Sequence, residues 1–213
     1  MKPLKTLLGG VILLEHPCFE DTRGTFQVLF EAEAAVAAGL PSTFVQDNAS
    51  LSRPAGTVRG LHLQLPPWQQ GKLLRVTRGR VVDVFVDLRP GSATRGQHET
   101  IELSAADDRQ LWIPPGFAHG FCTLEPDTEI AYKVDAPYQP EAEWTLAWDD
   151  PSLAVDWPVA AADAVLSDKD RLGRSLGDTI EVIDQSVAAL AEAPRTEAAG
   201  TEVDGDEQDH NDG

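Results

Sequence analysis

The amino-acid sequence predicts an all-β fold, a sandwich or a closed barrel. Three observations carry that expectation. From residue 7 to residue 150 the chain is a series of short runs rich in Val, Leu, Ile, Thr, Phe and Trp, cut by Gly, Pro or Asp, which is the pattern of strands and turns rather than of strand–helix–strand units. In one of these runs Val82, Val84, Val86 and Leu88 alternate with Val81, Asp83, Phe85 and Asp87, the period of a strand. Only Glu31–Ala38, alanine-rich and closed by Gly39, reads as a helix in this stretch.

Taken in order, the first strand is expected at Leu7–Glu15, and the next at Thr25–Phe30. Further strands are expected at Thr43–Ser50, Thr57–Gln64, Lys72–Arg78, Val81–Leu88, His98–Leu103, Gln110–Ile113, Phe121–Leu124, Glu129–Val134 and Glu143–Trp148. The clearest hairpin signal is Lys72–Leu88, where two β-rich runs meet at Arg78-Gly79-Arg80 and the glycine can supply the positive φ of a tight turn. The second arm has one apolar face and one that carries Asp83 and Asp87. A carboxylate on an inward face must be paired or belong to a site. Asp83 is read as interior, and Asp87 fits an interior or an exterior face equally. After Pro158 the chain becomes alanine-rich, and a weakly amphipathic Thr179–Ala193 predicts a short peripheral helix.

Charge narrows the function. The 213 residues carry 35 Asp+Glu against 17 Lys+Arg, a formal charge of −18. Nucleic-acid binding rests on Lys and Arg displacing counterions from phosphates, so no nucleic-acid partner is expected. An anionic membrane surface is disfavoured in the same way. Seven of the acids fall in Thr196–Gly213, which holds no Lys or Arg. That composition predicts a solvated, disordered acidic tail at 194–213 behind a single domain at 1–193.

Two cysteines, Cys18 and Cys122, are too few for a disulfide framework and form no metal-ligand spacing. A reduced cytoplasmic setting is expected. The basic, then apolar, start resembles a signal peptide only faintly, because the run stops at Glu15-His16-Pro17 without a small-residue cleavage site. No apolar stretch is long enough to span a bilayer.

His16, His98 and His210 lie in polar or terminal contexts and read as surface residues. His62 sits mid-strand in Arg59-Gly60-Leu61-His62-Leu63-Gln64, and His119 follows Pro114-Pro115-Gly116-Phe117-Ala118, a turn leading to the next strand. A single strand histidine is more often a satisfied core residue. Two in matching contexts, accompanied by Arg59, Lys72 and Tyr132, point to a site.

The P-x-G-x-x-H run ending at His119, together with His62-Leu63-Gln64, resembles the two motifs of the cupin superfamily, whose fold is a jelly-roll barrel. Gln64 stands where a metal-binding cupin carries its second histidine. An amide oxygen is a poor ligand for a transition metal and two histidines rarely hold one, so metal-free chemistry is expected and no cofactor is implied. A metal-dependent cupin is the disfavoured alternative.

A narrower resemblance rests on Val45-Gln46-Asp47-Asn48, Arg59-Gly60-Leu61-His62, Gln70-Gly71-Lys72-Leu73, Asp83–Arg89, Ser92-Ala93-Thr94, Ile113–Phe121, Tyr132-Lys133, Tyr138 and Leu166–Asp170. In this order and spacing the chain resembles the dTDP-4-dehydrorhamnose 3,5-epimerase family from about Asp21 to Asp170. The resemblance implies an isomerase of dTDP-L-rhamnose biosynthesis that inverts C3 and C5 of dTDP-4-dehydro-6-deoxy-D-glucose. Both carbons flank the C4 ketone, so removing either proton gives an enolate, and the reaction needs a base, an acid on the opposite face and a cation at the oxygen.

By the same resemblance His62 is the base, Asp170 its carboxylate partner, Tyr132 the acid and Lys72 the cation at the enolate, with Arg59 or His119 assisting. A phenol with an ordinary pKa of about 10 can donate at neutral pH without competing for the first proton. Arg23, Gln46, Asn48, Arg59, Lys72, His119, Glu143 and Lys169 are implied as substrate contacts, and Tyr138 as a stacking partner for thymine. Arg23 matches a position that reaches across a homodimer. Val28 departs from the family pattern R-G-x-F-x-E, replacing a polar contact by an apolar one. A relative that inverts C3 alone and a non-catalytic sugar-nucleotide-binding barrel remain alternatives. Asp83 is expected beside His119 from the strand pattern alone.

Overall fold

The computed structural model describes residues 1–192, so the expected acidic tail at 194–213, and His210 with it, lies outside the described residues. The strands are β1 (Lys2–Thr6), β2 (Ile12–Glu15), β3 (Cys18–Asp21), β4 (Gly24–Gln27), β5 (Gln46–Ser52), β6 (Val58–Gln64), β7 (Lys72–Arg78), β8 (Arg80–Asp87), β9 (His98–Ser104), β10 (Arg109–Ile113), β11 (Phe117–Thr123), β12 (Thr128–Val134) and β13 (Glu143–Thr145). Three helices join them: α1 (Ala32–Ala37), α2 (Asp168–Arg171) and α3 (Leu176–Glu192). Strand order is β1-β2-β10-β7-β12-β5 in one sheet and β13-β6-β11-β8-β9 in the other, with β3-β4 a separate two-stranded arm. The strands within both sheets pair antiparallel, as a jelly-roll requires.

The two sheets face each other. Leu74, Val76, Leu111 and Ile130 from the six-stranded sheet pack against Val81, Phe85, Leu103 and Phe121 from the five-stranded one. The reverse side of the five-stranded sheet is also covered, because Leu61, Val84, Val86 and Ala118 lie under Ile183 of α3. α1 and the residue that ends it do the same for the other sheet, with Ala35 and Ala38 against Leu14, Leu73 and Trp112. Both faces of β8 are therefore buried, and Asp83 and Asp87 have no exposed surface. Asp87 is paired by Arg89, whose Nη2 lies 2.7 Å from its Oδ2, and accepts from the hydroxyls of Ser92 and Thr94 at 2.6 Å each. No helix among the described residues is long and apolar enough to cross a membrane.

The structure corrects several expectations. Leu7–Glu15 is not one strand: Gly9 and Gly10 take φ values of 60° and 92° and break the run, and the chain already pairs at Lys2–Thr6. Lys72–Leu88 is not a hairpin. β7 lies between β10 and β12 while β8 lies between β11 and β9, so the turn at Gly79 carries the chain from one sheet to the other. Glycine is still required there, since its φ is +78° and a Cβ would come 2.3 Å from Oγ1 of Thr128. His16 is 4% exposed rather than a surface residue. The strand expected at Phe121–Leu124 begins at Phe117, so Phe117 and Ala118 belong to β11 rather than to the turn, and His119 lies within the strand.

Candidate active site

At one end of the space between the sheets lies a cavity of about 270 Å³. The six-stranded sheet contributes Ser50, Lys72, Ile130 and Tyr132 to its walls, the five-stranded sheet Arg59, His62, His119, Phe121 and Glu143, and α2 contributes Lys169. His62 and His119 are cross-strand neighbours on β6 and β11. These strands approach closely because both carry glycine beside the histidine: a Cβ on Gly60 would lie 2.6 Å from Gly120 Cα, and one on Gly120 2.6 Å from Arg59 O. The register slips between His119 and Phe121, a bulge that re-aims the side chains around it.

Each histidine has a buried carboxylate. Nε2 of His62 bonds Oδ1 of Asp170 at 2.6 Å, and the other carboxylate oxygen accepts from the Ser167 hydroxyl at 2.7 Å. Ser167 also caps α2 by accepting from the Asp170 amide at 3.2 Å. Burial opposes charge on Asp170, but the bonds from His62 and Ser167 prevail and hold its pKa below the ordinary value. Burial lowers the pKa of His62, with Asp170 opposing, so the ring is neutral at neutral pH. With Nε2–H donating to Asp170, the lone pair on Nδ1 is the one left to accept a proton. Nε2 of His119 bonds Oδ2 of Asp83 at 2.9 Å, the partner expected from the strand pattern.

Across the cavity, burial raises the pKa of the Tyr132 phenol, with Arg59 partly opposing, so Tyr132 is a protonated donor. Burial lowers Lys72 to about 8, with Asp83 opposing, and its Nζ lies 3.4 Å from the His62 carbonyl. Arg59 is held by Ser52 Oγ at 3.0 Å and Leu51 O at 3.2 Å. Lys169 contacts the Glu143 carboxylate. Burial opposes charge on Glu143, and Lys169 more than offsets it, so its pKa is lowered.

Of the residues read from sequence, Arg59, His62, Lys72, His119, Tyr132, Glu143 and Lys169 line one cavity, with Asp170 behind His62. Four lie apart. Arg23 sits at the turn of the β3-β4 arm, 2.6 Å from Asp21, with its side chain 87% exposed. Gln46 and Asn48 bond each other on β5 at 2.6 Å, and Tyr138 is half exposed. Sequence reasoning assigned no role to Ser50, Ile130, Phe121 or Ser167; Phe121 and Ser167 fell inside the runs that carry the resemblance, while the only signal for Ser50 and Ile130 was position, two residues from a site residue on the same strand.

Gln64 points its amide elsewhere. Its Nε2 donates to Trp68 O at 2.6 Å and Pro137 O at 3.1 Å, and its Oε1 accepts from the Gln139 amide at 2.6 Å. It is tied into loops rather than free to ligate. Among the described residues no group of three or more His, Cys, Asp or Glu is placed to share a metal ion.

Comparison with known proteins places this geometry. A family model described as dTDP-4-dehydrorhamnose 3,5-epimerase matches residues 5–178. A protein of that name from Sinorhizobium fredii is 50% identical over 169 residues, covering 79% of this chain and 86% of its own. A crystal structure of the Bacillus anthracis enzyme of that name, with TDP and PPi bound, superposes with a TM-score of 0.79 at 44% identity, covering 82% of this chain and 98% of that one. A Legionella pneumophila dTDP-6-deoxy-D-glucose-3,5-epimerase, in complex with dTDP-4-keto-L-rhamnose, superposes with a TM-score of 0.77 at 41% identity, covering 83% and 93%. With the match spanning nearly the whole of both sheets, the chain belongs to the dTDP-4-dehydrorhamnose 3,5-epimerase family.

Proposed function

We propose that this chain inverts C3 and C5 of dTDP-4-dehydro-6-deoxy-D-glucose to give dTDP-4-dehydro-L-rhamnose, with no cofactor. The observation that carries the reading is the placement of His62 and Tyr132 on facing sheets around one cavity, with Lys72 beside them. Neutral His62 takes the carbon-bound proton at Nδ1. The electron pair left behind moves onto the C4 oxygen as an enolate, and the Lys72 ammonium stabilises the charge that develops there. Tyr132 returns a proton to the opposite face of the carbon. The imidazolium then loses its proton and the phenolate regains one, which restores the site.

Arg59, Lys169 and His119 would hold the diphosphate and sugar, with Gln46, Asn48 and Glu143 as further polar contacts and Tyr138 stacking on thymine. Arg23 would act in the site of a second copy. Its exposed arm, with Phe19 and Phe26 at 59% and 66% exposure, supports a homodimer in which that arm is covered. A cytoplasmic setting completes the reading.

Incubating the ketosugar with the enzyme in deuterated water tests it. Deuterium is expected at C3 and C5. Label at C3 alone would make the protein a 3-epimerase, and no label at either carbon would leave a binding protein.

A further inference from the structure

The site holds three carboxylates, and two are fully engaged. Asp170 serves His62 and Ser167, and Glu143 serves Lys169. Asp83 is different. It has no exposed surface, its Oδ2 meets His119 at 2.9 Å, and its Oδ1 is buried without a hydrogen-bond partner. A buried carboxylate oxygen left unpaired is costly unless a nearby positive charge compensates. Lys72, on the opposite sheet, is the complementary case: a half-buried ammonium on the wall of the cavity that His119 also lines, whose hydrogen bond is a long one to a carbonyl, and on which Asp83 is the leading charge that favours the protonated form.

We propose that Asp83 is the positioning residue of this site, a single buried carboxylate that both orients the His119 ring and keeps the Lys72 ammonium charged. The other groups around Lys72 cannot do this. Lys169 opposes its charge, and Arg59 is a cation of the same sign. His62 is neutral, Tyr132 is a protonated phenol, and Glu143 is neutralised by Lys169. Asp83 therefore sets the pH up to which Lys72 can stabilise an oxyanion, without touching substrate itself.

The inference rests on Lys72 being the cation at the enolate, and the experiment separates the two. The pH dependence of kcat/KM is measured for the parent, Asp83→Asn and Asp83→Glu, with Lys72→Met as reference. Asp83→Asn is expected to move the alkaline limb down by roughly one pH unit or more and to leave the acid limb, set by His62 and Asp170, in place. Asp83→Glu keeps the charge but displaces His119, so its alkaline limb should stay near that of the parent while kcat falls. An unmoved limb in Asp83→Asn, with turnover lost in Lys72→Met, overturns the role of Asp83 alone. Full turnover in Lys72→Met overturns the reading beneath it. Should Asp83→Asn not fold, the unmutated protein answers by 13C NMR. The Asp83 carboxyl carbon should shift at the pH where Lys72 titrates, and a flat signal through that range would overturn the influence of Asp83 on Lys72.

Discussion

His62 and Asp170 are 108 residues apart in the chain, and their side chains meet at 2.6 Å. The bond fixes Nε2 as the donor and leaves Nδ1 to take a proton, so the carboxylate chooses which face of the imidazole is basic. Asp170→Asn keeps the shape but can present an N–H to that nitrogen and favour the wrong tautomer. Turnover is expected to fall by roughly 100- to 10,000-fold, the range of general-base contributions. Binding of dTDP, followed by calorimetry, should change little.

The pH profile of the parent should be bell-shaped. His62 must be unprotonated, and burial places its pKa below 6.5, so kcat/KM rises on the acid side through a midpoint below that value. Lys72 must be protonated, so activity falls through about pH 8. Lys72→Arg, whose guanidinium does not titrate in this range, should lose the alkaline limb whatever its maximal rate.

Lys72 also shapes stability. Its folded pKa of about 8 lies below the ordinary 10.5, so the unfolded chain binds more protons between those values and the native state gains stability as pH rises through that window. Lys72→Met has no charge to desolvate. It should unfold at higher urea than the parent at pH 7, and the advantage should fade between pH 8 and 10.5.

Asp87 behaves in the opposite sense. Burial opposes its charge, but bonds from Arg89, Ser92 and Thr94 hold its pKa at about 2, below the ordinary 3.8. That stabilisation is present above pH 3.8 and is lost as pH falls through 2, a contribution of roughly 2 kcal/mol. Asp87→Ala strands Arg89 and should cost about 3 kcal/mol at pH 7, read from urea unfolding, while the specific activity of the folded fraction is kept.

Gly60→Ala and Gly120→Ala both place a Cβ 2.6 Å from backbone of the adjacent strand. Backbone cannot step aside as a flexible side chain can. Each substitution should destabilise by about 2 kcal/mol or more and reduce turnover beyond the loss of folded protein, since β6 and β11 together hold both histidines.

Much of the fold was legible because strand period and turn residues are local properties. β7 was read with its bounds intact, and β6, β8, β9 and β12 to within a residue or so at each end. Pairing is not local. The Gly79 turn has the residue that a hairpin needs, yet the positive φ that closes a hairpin serves equally to cross between sheets, and only the partners of β7 and β8 decide which occurs. The face of a strand was harder still. His16 looked exposed between Glu15 and Pro17, because the covering layer comes from elsewhere in the chain. In the site, His62, His119, Lys72 and Tyr132 were recognisable by residue type and context. Ser50 and Ile130 were not, since nothing in their own segments distinguishes a cavity wall from ordinary packing.

The crossing at Gly79 bears on how the protein folds. Lys72 and Asp83 lie on consecutive strands but belong to opposite sheets, and the cavity that both sheets line exists only when the sheets dock. A chain with one sheet formed would hold Lys72 and Tyr132 without His62, or the reverse. Such non-local closure is the slow kind. Nucleotide affinity should therefore appear last during refolding, so that gain of ligand binding reports the completed native state rather than the formation of strands.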